Sequence, residues 1–177
     1  MELITTPPID PCTYGPKPIV ALKIFNFETP VRIQLDPSAA PITVAYFLQL
    51  VSEGFYDGLK FHRVVAGFLL QGGDPTGTGD GETEFYVKGE FANNGIPNPL
   101  PHERGAVSMA RQEGYDSASC QFFILINAIP SMNGDYARFG QVIEGIELIE
   151  KLSMIPTYAN EAPTAPIVIE RAYIEGA

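Results

Sequence analysis

The chain has no tryptophan, only two cysteines and two histidines in 177 residues, and its 11 Lys and Arg are outnumbered by 21 Asp and Glu. Each shortage excludes something. Two thiols far apart in sequence, Cys12 and Cys120, make no disulfide scaffold and fit a reducing compartment. His62 and His102 lie far apart without nearby helical His or Glu spacing, a poor metal pair, so neither a metal nor another cofactor is expected. A formal net charge of −10 favours solubility and opposes contact with a phosphate backbone, which sets nucleic acid aside as a partner. No window approaches the roughly 18 apolar residues that a membrane-spanning helix needs. The start, Met1 to Pro8, lacks the basic region and apolar core of a secretory signal. The expectation is a cytoplasmic protein without membrane contact.

What the chain does have is 45% hydrophobic residues, with 17 Gly and 16 Pro scattered in short clusters. Such clusters read as turns between many short strands, and the length suits one well-buried core. Residues 1–18 carry five of the prolines and little periodicity, which predicts an extended arm ahead of a single domain over 19–177. From Ile19, Val20, Leu22 and Ile24 alternate with Ala21, Lys23 and Phe25. After a turn at Asn26 to Pro30, Val31, Ile33 and Leu35 alternate with Arg32 and Gln34. This is the pattern of a half-buried hairpin. Val44, Phe47, Leu48 and Val51 recur at helical steps, with Pro41 suited to the first turn and Gly54 to the end. A second helix is predicted over Gly145 to Leu152. Further strands are predicted at Phe61–Val65, Phe68–Gln71, Ala106–Ala110, Phe122–Ile126, Phe139–Val142 and Ile167–Ile174. Eight short strands and two well-separated helices suggest a mainly β fold: a closed eight-stranded antiparallel barrel capped by two α-helices, since closure removes sheet edges. The Gly- and Pro-rich stretch from Asp74 to Arg104 reads as a long loop, functional or packed by its own side chains.

Alternation within Phe61 to Val65 puts Phe61, Arg63 and Val65 on one face and His62 and Val64 on the other. An arginine amid apolar strand residues requires a partner, because guanidinium is never neutral. A structural tie to a carboxylate and a functional role both satisfy that requirement. In the run Ser119 to Ile126, Gln121 and Phe123 share a face, as either core and rim or part of a site. Cys120 reads as packing or as a redox-sensitive thiol. The Thr76 to Glu82 glycine cluster lacks the Lys-Ser/Thr ending of a phosphate loop and reads as a loop flanking a substrate.

The string FHRVVAGFLLQGGD, followed in order by GTGDGE, GAVSMAR, SCQFFI and RFGQVIEG, resembles the cyclophilin family of peptidyl-prolyl cis-trans isomerases. The resemblance runs from about Ile19 to Ile174, and its variants look more like bacterial cyclophilins. It implies an eight-stranded barrel capped by two helices, with a groove on its outside that takes proline-containing peptides and unfolded chains. Matched motif to motif, Arg63 takes the place of the catalytic arginine. Phe68, Leu69 and Phe123 fall where the family builds its proline pocket. Gln71 and Gln121 fall on polar contacts, with Gln121 steadying one end of the substrate. Ala110 and Arg111 fall on the strand that pairs with the substrate backbone, and Met132 and Tyr136 on the loop closing the far side. The implied activity is rotation about Xaa-Pro bonds that assists protein folding, by a monomer without cofactor. The alternative is a proline-peptide binding module or chaperone that uses the groove without turnover.

Three departures stand out. Ser131 falls where many eukaryotic cyclophilins carry a tryptophan associated with cyclosporin binding, so weak cyclosporin binding is expected. Tyr136 stands where the family often has histidine. Leu69 replaces the more usual methionine.

Overall fold

The alternating run that starts at Ile19 lies in an eight-stranded sheet that forms most of the molecule. A computed structural model describes residues 1–177. In chain order the elements are β1 (Glu2–Ile4), β2 (Ile19–Ile24), β3 (Val31–Leu35), α1 (Pro41–Ser52), β4 (Arg63–Val65), β5 (Leu69–Gly72) and β6 (Phe85–Val87). Then follow β7 (Ala106–Met109), β8 (Phe122–Leu125), β9 (Arg138–Glu144), α2 (Ile146–Ser153) and β10 (Ile169–Ile174). Eight strands form one sheet in the order β10-β2-β3-β9-β7-β8-β5-β4, every pairing antiparallel.

The strand reading thus matches the main sheet, and the structure adds detail at its seam. β4 and β10 do not share a continuous ladder. Instead the segments just before them meet: Lys60 and Val168 form an antiparallel bridge, Phe61 N–H donates to Ile167 O at 3.0 Å, and Ile169 N–H to Leu59 O at 2.8 Å. β4 is only three residues long, and its Val64 N–H is taken by the Glu161 carbonyl at 2.9 Å. The barrel is therefore not fully closed as expected: a short seam, not a strand pair, links its two edges.

Two strands lie outside the predicted set. β1, in the arm, pairs in parallel with β6, in the long loop, through Glu2↔Phe85, Leu3↔Tyr86 and Ile4↔Val87. Three-residue strands carry too few positions to reveal a period. The arm therefore carries a short strand of its own. The long loop is held by polar side chains, some its own and one, Asp116, from beyond it. Asp116 accepts from Gly89 N–H and Asn94 Nδ2, and Asn98 Nδ2 donates to the carbonyls of Glu90 and Arg138.

Inward-facing residues of the barrel make one core with α1. Phe47 of α1 packs its ring against Tyr56, Phe122 and Phe139, with centroids 5.2, 5.5 and 5.0 Å away. The apolar face predicted for α1 is buried, and so are Tyr46 and Leu50 outside it, because the helix sits deep against the barrel with β6 and the loop covering it. Gly54 follows α1 with φ of 72°, the left-handed turn that ends helices at little steric cost to glycine. α2 is amphipathic in the ordinary way and buries Ile149 and Leu152.

Candidate active site

Register brings the site together. Arg63 of β4 lies opposite Gln71 of β5, and Gln71 lies opposite Phe123 of β8. With strands about 4.8 Å apart and side chains alternating between faces, these three form one row across the outside of the barrel. Leu70, Phe122 and Ile124 point into the core instead. Along the same outer face Leu69, Ala106, Phe123 and Leu125 form a second, small apolar cluster, with Phe68, Ala110, Ile129, Met132 and Tyr136 packed on it. The Tyr136 ring meets Phe123 edge-on at 5.8 Å. Above this floor opens a groove of about 760 Å³, lined by Arg63, Phe68, Leu69, Gln71, Ala110, Arg111, Phe123, Met132 and Tyr136 together with His62, Gly77–Gly79, Asn160 and Ala162.

A line of polar bonds borders the groove. Arg63 Nε donates to Glu161 Oε2 at 2.6 Å, and Arg63 Nη1 reaches Gln71 Oε1 at 3.4 Å. Gln71 Nε2 donates to Gln121 Oε1 at 3.0 Å, and Gln121 Nε2 donates to the carbonyls of Gly79 and Gly81 at 2.9 and 3.0 Å. Gln121 lies outside the groove itself, on an adjoining pocket of about 430 Å³ that it shares with Gln71, Gly79–Glu82 and Ala110–Gln112.

The matching family model is described as cyclophilin type peptidyl-prolyl cis-trans isomerase/CLD, and it covers residues 20–174. The chain belongs to the cyclophilin family. It is similar to peptidyl-prolyl cis-trans isomerase B of Bacillus subtilis, 46% identical over 123 residues, which is 70% of this chain and 82% of the relative. A Helicobacter pylori peptidyl-prolyl cis-trans isomerase is 40% identical over 124 residues, covering 69% of this chain and 74% of its own length. Among solved structures, a Cryptosporidium parvum cyclophilin type isomerase superposes with a TM-score of 0.82 at 30% identity, over 91% of this chain and 99% of its own. That protein was also solved in the presence of the dipeptide Ala-Pro. This cyclophilin is a peptidyl-prolyl cis-trans isomerase.

Several residues of the cyclophilin sit differently from the sequence reading. Phe61 does not share a face with Arg63. It precedes β4, where the alternation has not begun, and it is fully buried against Phe122 with ring centroids 5.9 Å apart. His62, expected on the face opposite Arg63, lines the same groove, and its buried Nδ1 has no hydrogen-bond partner. Burial pushes the His62 imidazole below the usual histidine range, the Arg63 charge works in the same direction, and the Asp74 carboxylate opposes both. Ala110 and Arg111 lie just past the end of β7, with Ala110 N–H still bonded to Gln121 O at 3.0 Å. The Arg111 guanidinium is already engaged. It donates to the carbonyls of Asp135, Gln112 and Glu113 and stacks on Phe91, Tyr115 and Tyr136, with the Tyr136 centroid at 4.7 Å. It braces the groove wall.

Three groove features escaped the sequence reading. Asp74, buried beneath the glycine loop, accepts from Thr76 N–H, Thr76 Oγ1, Gly79 N–H and Gly81 N–H. Burial acts to raise its pKa, and these bonds outweigh that and hold it below the usual range. Its carboxylate thus fixes the two carbonyls that hold Gln121. A Cβ on Gly81 would come within 1.8 Å of Asp74 Oδ1, so glycine is required there. The Asp74-Pro75 pair ahead of a glycine cluster is a turn signal that flags this loop. Glu161 and its groove-lining neighbours Asn160 and Ala162 come from far along the chain, in a stretch without period, and no sequence signal joins them to Arg63. Met132 and Tyr136 owe their position to a buried histidine. His102 N–H and Nδ1 bond to Asn133 Oδ1, and His102 Nε2 bonds to Ser108 at 3.0 Å.

Proposed function

We propose that Arg63 stabilises the twisted amide nitrogen of a bound Xaa-Pro bond while the apolar floor of the groove grips the proline ring. The peptide bond resists rotation by about 18–20 kcal/mol because the nitrogen lone pair is delocalised into the carbonyl. As the bond twists, that pair localises on a pyramidal nitrogen. A guanidinium N–H aimed there stabilises the twisted form more than the planar one, which is the condition for catalysis. One charged hydrogen bond contributes about 1.5–3 kcal/mol, or about one to two powers of ten in rate. The rest comes from holding the ring on Phe68, Leu69, Phe123, Met132 and Tyr136 while Gln121, in the adjoining pocket, steadies one end of the substrate.

The observation that supports this reading is the cross-strand row. It sets an arginine with a free Nη2 on the same groove as a surface cluster of apolar side chains, with Gln71 between Arg63 and Phe123. The substrates we assign are proline-containing peptides and unfolded chains, in keeping with the Ala-Pro dipeptide present with the Cryptosporidium relative. The protein then assists folding as a monomer. Two free cysteines, one exposed and one buried, suit the reducing cytoplasm. Residues 1–18 are an appendage to an isomerase domain over 19–177. Ser131, in place of the tryptophan of many relatives, makes cyclosporin a weak ligand, and a nanomolar inhibition constant overturns that expectation.

Exchange NMR on a short Xaa-Pro peptide tests the central claim. Arg63→Ala lowers kcat/KM by about 10- to 100-fold with an unchanged fold by circular dichroism. Undiminished isomerisation in that variant refutes the role, and peptide binding without turnover in the native protein leaves a binding module instead.

A further inference from the structure

Only two residues other than glycine have positive φ, Asn26 at 72° and Glu161 at 66°. Asparagine tolerates this region; glutamate has no such affinity for it, and an observed outlier of this kind near a site points to function. Glu161 straps its loop to β4 twice. Its backbone carbonyl accepts from Val64 N–H at 2.9 Å, and its carboxylate accepts from Arg63 Nε at 2.6 Å. The loop is itself tied down. Glu161 N–H donates to Tyr158 O and Tyr158 N–H to Ala162 O, both at 2.9 Å, while Thr157 and Pro163 form a bridge. The ion pair stands 41% and 45% exposed at its two side chains, and pairs so exposed add little to folding. The backbone bonds would hold this turn with any residue there, so the stability of the ion pair does not explain the choice of a glutamate.

We propose that Glu161 is a positioning residue for the isomerase reaction: it fixes the Arg63 guanidinium plane through Nε and leaves Nη2 as the donor for the twisting amide. This rests on the catalytic role proposed for Arg63. A free arginine side chain samples many rotamers, and an aimed donor must surrender that freedom in each turnover. Glu161 on one side and Gln71 on the other settle it beforehand, so the cost does not fall in the transition state. The carboxylate attenuates the guanidinium charge, and the gain in aim outweighs this.

Exchange NMR on an Xaa-Pro peptide, giving kcat and KM separately, tests the proposal with Glu161→Ala, Glu161→Gln and Arg63→Ala. Glu161→Ala lowers kcat about tenfold with KM within about twofold. Glu161→Gln, whose amide oxygen still accepts the Nε–H, returns kcat to within about threefold of the native value. The Arg63 Nε–H resonance is sharp in the native protein and in the glutamine variant and broadened in the alanine variant, while thermal melting separates the three little. Native kcat in Glu161→Ala overturns the proposal, as does a glutamine variant as slow as the alanine one. If Arg63→Ala keeps its turnover, the arginine role itself has failed. If Arg63→Ala is slow and Glu161→Ala is not, the arginine stands and the glutamate does not.

Discussion

Cys120 and Gln121 are neighbours in the chain, yet their side chains meet opposite surroundings. Gln121 reaches the polar border of the groove, while Cys120 is fully buried beside Tyr56, whose hydroxyl donates to the Cys120 carbonyl at 2.8 Å. Burial, aided by the charges of Asp74 and Glu82, pushes the Cys120 thiol up to about 11. The thiolate is the reactive form, so of the two readings of this cysteine the structure favours packing. With Ellman's reagent the folded protein should release one equivalent, from exposed Cys12, and two after unfolding. A Cys12→Ser protein that still reacts rapidly when folded would refute this. Residues on regular strands were legible in this way: alternation separates Phe122 from Phe123. Phe61 and His62 were misassigned because they precede the strand whose period was applied to them.

At the scale of elements, α1 has an unusual start. Ala40, the residue just before it, supplies no side-chain cap, and its first turn holds no acidic residue. The cap comes instead from buried Glu90, which accepts from Thr43 N–H and Thr43 Oγ1 at 2.7 Å and from Ile42 N–H at 3.2 Å. A carboxylate at a helix N-terminus is favoured by the unpaired amides and the helix dipole. Glu90→Ala should cost about 2–3 kcal/mol by urea unfolding at neutral pH, since three donors lose their partner. Burial raises the Glu90 pKa above its ordinary 4.5, and the bonds from Thr43 and Ile42 only partly offset it. A raised carboxyl binds its proton more tightly when folded. The stabilisation linked to that proton is therefore full below the ordinary value and is lost as pH rises through the raised one, while the bonds to the helix terminus remain. Glu90→Gln removes that slope, so its stability relative to the native protein should improve as pH climbs above 4.5; parallel curves would contradict this. Local sequence gave no sign of Glu90, because the partners lie 47 and 48 residues apart.

For the whole molecule, the arm and barrel are distinct in consequence. β1 is mostly exposed, and Ile4, Ile9 and Tyr14 pack partly on the core. None of residues 1–18 lines the groove, and β6 keeps a bond from Val87 N–H to Ala118 O at 2.8 Å without them. Deleting residues 1–14 should lower unfolding free energy by about 2–4 kcal/mol, the share of apolar burial lost, and leave isomerase turnover at its full rate. A truncated protein that is folded but slow would assign the arm a part in catalysis. The seam between β4 and β10 is the other whole-molecule feature, and it bears on the site: the Glu161 carbonyl on Val64 occupies an edge that a longer strand pair would use.

From sequence alone came the eight strands of the main sheet and the two helices, because period and turn chemistry are local properties that a few consecutive residues express. Tertiary structure alone decided which strands became neighbours in the Arg63–Gln71–Phe123 row, that His62 joins the groove, and that Glu90 and Glu161 each serve a distant backbone or side chain. Those partnerships depend on buried or shared hydrogen bonds between segments far apart in the chain. A lone carboxylate in a loop leaves no periodic trace of the donor it will meet.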